Sequence, residues 1–175
     1  LVLLQLDHDA SFQADGPYPS GAAFAAECLQ AFAAAAPPGD HLVFKAHPLE
    51  DGRAGTARTI ARTAARLGLS GRVHHVGGAA LAGLLDGACS VVTVTSTGAQ
   101  QALWRGLPVK AMGRAIYARP EIVSCQDLPD FFANPAPPNP EAYATLRAFL
   151  MARCQIAGGF YSARGRARVL GALTD

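Results

Sequence analysis

Apolar runs and polar breaks alternate along most of the chain. Leu1–Leu6 predicts a buried strand, and Asp7–Pro19 a polar loop punctuated by Gly16, Pro17 and Pro19. Ser20 is placed to cap a helix that carries Phe24, Leu29 and Phe32 and stops before Pro37-Pro38. His41–Ala46 predicts a second strand, which Pro48 ends. Thr56–Leu67 predicts a helix with Ile60, Ala64 and Leu67 on one face and Arg58, Arg62 and Arg66 on another. Arg72–Val76 follows as a short strand and Ala79–Asp86 as a short helix. Ser90–Val94 is a fourth strand, a helix runs from about Gly98 to Arg105, and Pro108–Met112 is a fifth strand.

Strands and helices alternating at this spacing argue for parallel strands joined by crossover helices. The strands are nearly all apolar, as expected when both faces of a sheet are covered. The expected fold is therefore α/β, a doubly wound, Rossmann-like parallel sheet. After Met112 the pattern weakens. Segment 113–139 is loop-rich, with a short helix near Asp127–Phe132 and prolines at 135, 137, 138 and 140. Two further helices are expected, at roughly 140–153 and 161–173. There is no internal repeat, and the whole chain is expected to form one domain.

Length and composition narrow the classes. With 175 residues, half of them hydrophobic and 16% charged, the chain is long enough for a real core and too apolar for disorder. The formal charge of +2 gives no reason to expect a nucleic-acid partner. The run Leu1–Leu6 is too short to cross a bilayer and lacks the features of a signal peptide. A start on Leu1 in an apolar run reads as the middle of a longer protein cut at a domain boundary. Cys28, Cys89, Cys125 and Cys154 form no C-x-x-C pair, and their spacing fits neither zinc nor a disulfide framework. They read as buried free thiols in a reducing cytosol.

In an open parallel sheet, ligands bind at the carboxyl ends of the strands. Three strand ends carry unusual polar residues, which are expected to converge on one crevice. The first is Gln5-Leu6-Asp7-His8-Asp9: Gln5 can donate and accept hydrogen bonds, and Asp9 can accept them or take a proton. The competing reading is a loop whose acids solvate it. The second is Lys45-Ala46-His47-Pro48. Proline forces an extended backbone on His47 and stops the strand, so the imidazole sits at the sheet edge, where its N–H can meet a phosphate oxygen beside the charge of Lys45. The third is Thr95-Ser96-Thr97-Gly98, hydroxyls and backbone N–H groups before a helix, which suit an anion. An ordinary N-cap needs only one of them. No P-loop or G-x-G-x-x-G is present, so ATP hydrolysis and nicotinamide binding are unsupported. His74 and His75 are adjacent in a strand, point to opposite faces, and cannot share a metal.

These residues, in this order, resemble the bacterial capsule polysaccharide biosynthesis and export proteins. The resemblance rests on Gln5 to Phe12, Lys45-Ala46-His47-Pro48-Leu49, and Thr95-Ser96-Thr97-Gly98 with Ala102-Leu103. It continues through Gly106-Leu107-Pro108-Val109, Gly113-Arg114-Ala115-Ile116-Tyr117 and Gly158-Gly159-Phe160-Tyr161. The resemblance implies the C-terminal half of a GT-B glycosyltransferase, the half that holds a donor nucleotide. It implies CMP-Kdo as donor substrate, with no further cofactor, and a lipid-linked glycan as acceptor. It further implies an N-terminal partner domain carrying most of the acid/base chemistry, and a cytoplasmic protein that can attach to an inner-membrane capsule export complex. By resemblance His47 contacts the CMP phosphate, Ser96 and Thr97 bind it from the helix end, and Gln5 and Asp9 lie at the hinge between domains. Asp9 and His47 are then the expected catalytic residues, and Gln5, Lys45, His47, Thr95, Ser96, Thr97 and Gly98 the expected donor-binding set. No DxD-like motif is evident, so leaving-group stabilisation by protein groups, without a metal, is expected. The segment alone is expected to show no turnover.

Three other readings stay open. The domain is a non-catalytic binding or assembly module of the export machinery, a UDP-sugar transferase or epimerase of the same architecture, or a plain α/β domain with another ligand.

Overall fold

The structure is a computed structural model that describes residues 1–156, 158 and 161–172. The chain packs as two compact units, residues 1–140 and 141–175. The first unit is built on a five-stranded parallel sheet: β1 (Val2–Leu3), β2 (Leu42–Lys45), β3 (Val73–Val76), β4 (Val91–Thr93) and β5 (Val109–Ala111), in the order β3-β2-β1-β4-β5. This is the doubly wound order the alternation predicts. The chain winds outward from β1 through β2 to β3, then returns to the other side of β1 and winds outward again through β4 to β5.

Helices cover both faces. On one face α2 (Gly21–Ala35) packs against α3 (Thr56–Arg66) and α6 (Leu128–Ala133). Its Phe24, Leu29 and Phe32 join Val2, Leu4, Leu42, Phe44, Ile60 and Phe131 in one buried cluster. Ser20 caps α2 as expected, its Oγ accepting from the Ala23 N–H at 3.2 Å. On the other face lie α4 (Leu81–Asp86) and α5 (Ala99–Trp104). Packing there is tight: a methyl on Gly98 would sit 3.0 Å from Leu81 and 3.3 Å from Leu3.

Three expectations need correction. Asp7–Pro19 is not all loop, because Ala10–Asp15 forms a six-residue helix, α1, capped by Asp9. The cysteines are all free, yet only Cys28 is buried; Cys89, Cys125 and Cys154 are exposed. Burial pushes the Cys28 thiol well above the ordinary thiol range. Strand β3 is not covered on both faces: it lies at the sheet edge, and His74 and His75 are exposed. His74 Nε2 lies 2.9 Å from His41 Nδ1, while His75 faces elsewhere, as alternation requires.

The second unit holds α7 (Pro140–Arg153) from its second residue on, and α8 (Ala163–Ala172). Tyr143 and Leu150, seven residues apart, are the buried positions of α7. Gly158 has φ +139°, and a Cβ there would lie 2.8 Å from the Gly165 Cα, so no side chain fits. Residues 159 and 160 of the Gly158–Tyr161 motif, and the last residue of the expected helix 161–173, lie outside the described residues. Among the described residues no helix is long and apolar enough to cross a membrane.

Candidate functional site

In this strand order the winding reverses between β1 and β4, the place where open parallel sheets bind ligands. Gln5 follows β1 and Thr95 follows β4. Gln5 Oε1 accepts from the Thr95 N–H at 2.8 Å, and Gln5 Nε2 donates to Thr95 Oγ1 at 2.9 Å. The backbone N–H can only donate, which fixes the orientation of the amide. Both residues are buried. The two strand ends are thus tied by side-chain bonds where the backbone ladder has stopped.

Asp9 joins this pair through Ser11. The Asp9 Oδ1 accepts from the Ser11 N–H at 2.9 Å, the Ser11 hydroxyl at 2.8 Å and the Phe12 N–H at 3.2 Å. The Ser11 hydroxyl also lies 3.0 Å from Thr95 Oγ1. An ionised carboxylate only accepts, so Ser11 must donate to Asp9 and accept from Thr95. The bonds therefore run one way, from Gln5 through Thr95 and Ser11 to Asp9, and reinforce one another. The Ser11 hydroxyl, then the backbone N–H groups, hold the Asp9 carboxyl below the usual range despite the opposing effect of partial burial. Asp9 is half-buried and ionised at neutral pH. Asp7 plays a different part: its Oδ1 accepts from the Gly21 N–H at 2.6 Å and pins the start of α2.

His47 lies on the other side of β1, after β2. Gln5 and His47 line one cleft of about 200 Å³ together with Glu50, Thr56 and His75. His47 Nδ1 accepts from the Leu49 N–H at 3.1 Å. In the neutral ring that bond leaves the proton on Nε2, so Nε2 is the available donor. Lys45 departs from its expected place. It is buried, its Nζ donates to the Ala46 carbonyl at 3.1 Å, and it is not among the residues lining this cleft. Strand alternation sends Lys45 to the face opposite Phe44, under the second helical layer.

The turn after β4 is built from its own hydroxyls. Ser96 N–H donates to Thr93 Oγ1 at 3.3 Å, and Ser96 Oγ accepts from the Gly98 N–H at 3.2 Å. Thr97 is exposed, and its hydroxyl makes no hydrogen bond to any described residue. Helix α5 is six residues long, with Gly98 as its N-cap and no side-chain cap bond. Beneath the turn lies Tyr117, buried, whose hydroxyl donates to the Ser96 carbonyl at 2.5 Å. Desolvation raises its pKa, so it stays a neutral donor.

Sequence reasoning missed Ser11 and Tyr117. Asp9 two residues before Ser11 is an N-cap signal that could have revealed α1 and, with it, the hub hydroxyl. Tyr117 closes the Gly113–Tyr117 run of the resemblance, but nothing in the spacing assigns it a role, because its partner is a backbone atom 21 residues away.

The geometry meets a set of relatives. A family described as capsule polysaccharide biosynthesis protein matches residues 1–161. The capsule polysaccharide modification protein LipB of Neisseria meningitidis, from serogroup A and from serogroup B, is 32% identical over 163 residues, covering 93% of this chain and 39% of LipB. The capsule polysaccharide export protein KpsS of Escherichia coli is 27% identical over 161 residues, covering 92% of this chain and 41% of KpsS. The chain thus spans about two fifths of the length of these curated relatives. No solved structure matches it significantly. With the family match running through β1, β2, β4 and the whole site, the chain belongs to the capsule polysaccharide biosynthesis protein family.

Proposed function

We propose that this chain is the donor-nucleotide half of a glycosyltransferase of GT-B architecture, which moves Kdo from CMP-Kdo to a lipid-linked glycan acceptor. The observation that carries the reading is the tie between Gln5 and Thr95 across the switch point. It joins the Asp9–Ser11 segment to the start of the Thr95–Gly98 turn, and Gln5 also lines the cleft that holds His47.

The chemistry follows from the groups present. Transfer breaks the bond between the anomeric carbon and a phosphate oxygen, and the bonding pair leaves with CMP. Negative charge grows on that phosphate. The Nε2–H of His47, the Ser96 and Thr97 hydroxyls and the Thr97 N–H are donors suited to meet it; removing one such donor typically costs about 100-fold to 1,000-fold in turnover. Positive character grows on the sugar ring. Asp9, held ionised, is a weak proton acceptor and fits electrostatic support of that charge. The remaining acid/base chemistry belongs to an N-terminal partner domain.

Calorimetry of the full-length protein with CMP and with UMP tests the donor. CMP binding with UMP much weaker supports the reading; the reverse order favours a UDP-sugar enzyme. His47→Ala that leaves turnover unchanged removes His47 from the leaving-group site. A second reading, a binding or assembly module attached to export machinery at the inner membrane, draws on the export role in the name of the E. coli relative. CMP binding without sugar transfer to any lipid-linked acceptor would favour it.

A further inference from the structure

Tyr117 is buried under the Ser96–Gly98 turn, and the segment that carries it touches both arms of the site. Gly113 N–H donates to the Val94 carbonyl at 3.0 Å, and Arg114 N–H donates to the Asp15 carbonyl at the end of α1 at 2.9 Å. The Arg114 guanidinium also pairs with Asp15 Oδ1 at 3.0 Å. There is no room at residue 113 for a side chain: a Cβ would lie 2.7 Å from the Asp15 carbonyl oxygen and 2.8 Å from Thr95 Cγ2. Four residues on, Tyr117 is 1% exposed and donates to the Ser96 carbonyl. That carbonyl also accepts the Ala99 N–H at 3.2 Å. The Ser96 peptide is therefore held from below and from its own turn.

From this arrangement we infer that Tyr117 is a positioning residue: by gripping the Ser96 carbonyl it fixes the direction in which the Ser96 and Thr97 hydroxyls and the Thr97 N–H face the crevice. Segment 113–117 is the strap that delivers it, with Gly113 as the point of closest approach and Arg114 as the link to α1. The inference rests on the donor-site reading and deepens it. Tyr117 touches no substrate. Its effect passes through one backbone carbonyl, which a phenylalanine ring of the same shape cannot hold.

The test uses the full-length protein with Tyr117→Phe, which keeps the buried ring. Tyr18→Phe serves as the matched control, since it removes a phenol that pairs with Glu27 instead. Calorimetry with CMP should show binding weakened about threefold to tenfold in Tyr117→Phe, the range of one lost hydrogen bond, and little changed in Tyr18→Phe. In steady state the donor KM should rise while the acceptor KM holds. Amide hydrogen exchange, measured without ligand, should quicken at residues 97–101 and stay unchanged in β1, β2 and β4. Wild-type affinity in Tyr117→Phe, beside a wild type that binds CMP, overturns the inference. If the wild type binds no CMP, the donor reading falls, and the exchange measurement still decides: unchanged exchange at 97–101 overturns the gripping role on its own.

Discussion

Replacing Gln5 by leucine removes the tie at the switch point while keeping nearly the same volume. Gln5 is 8% exposed and Thr95 6%, so water cannot take over the broken bonds. The Thr95 N–H loses its acceptor at 2.8 Å, and leaving such a group buried costs about 1–3 kcal/mol. The amide-to-hydroxyl bond at 2.9 Å adds about 0.5–1.5 kcal/mol. The Thr95 hydroxyl keeps Ser11 as a partner, so no third penalty arises. Taking about 3 kcal/mol as the total, and about 2–4 °C per kcal/mol for a chain of this size, the thermal midpoint should fall by about 6–12 °C. Thr95→Val is the comparison. It keeps the N–H bond to Gln5 but leaves Gln5 Nε2 only the Ser11 hydroxyl at 3.5 Å, so it should cost about 1–2 kcal/mol, less than Gln5→Leu. The double variant should cost less than the sum, because residues in contact do not act independently. Thermal unfolding of the four proteins settles the matter. If Gln5→Leu costs no more than Thr95→Val, or the two effects simply add, the tie does not organise the site.

Other consequences are separable from this one. Asp9→Asn keeps an N-cap oxygen for α1, so the midpoint at neutral pH should change by less than about 1 kcal/mol's worth, while sugar transfer in the full-length protein should fall about 100-fold or more. The folded-state pKa of Asp9 lies below its ordinary value of 3.8. Its contribution to stability is therefore present above that value and disappears as pH falls through the folded pKa. A pH series of midpoints should show this acid-side loss in the wild type, and Asp9→Asn should lack that part of it. His47→Ala should lower turnover about 100-fold to 1,000-fold with an unchanged midpoint, since the ring is half-buried and its one bond is local. Gly113→Ala forces a methyl against the Asp15 carbonyl and should cost about 1–3 kcal/mol by thermal unfolding, a larger loss than alanine causes at the open Gly39.

The parts legible in the sequence were those carried by periodicity. Four of the five strands and the intervening helices followed from apolar spacing, because parallel strands buried on both faces leave little room for polar residues; β3, at the sheet edge, carries the exposed His74 and His75. Each element's existence was readable, and its ends were less so: the second strand, expected over His41–Ala46, spans Leu42–Lys45. What failed was short or local. Helix α1 has six residues, too few for a hydrophobic stripe, and Gly16 and Pro17 masked it as loop. The exposed cysteines misled because an apolar neighbourhood in sequence says little about one side chain in space. Lys45 looked available beside His47, but β2 ends at Lys45 and the chain turns through Ala46–Leu49, so the spacing of the two residues no longer sets their relative placement. Tyr117 stands in the Gly113–Tyr117 run of the resemblance, yet its role was not legible, because a side chain that holds a distant carbonyl leaves no spacing signature. The chemistry-bearing strand ends were legible because polar residues stand out where a buried strand stops, and sheet order then brings β2, β1 and β4 side by side.

A crystal structure of the full-length protein with CMP bound tests the account's main claim most directly. The account predicts the CMP phosphate within about 3 Å of His47 Nε2 and of the Ser96 or Thr97 donors, a normal hydrogen-bond distance, at the carboxyl ends of β2, β1 and β4. A nucleotide seated elsewhere, with those donors facing solvent, would contradict it.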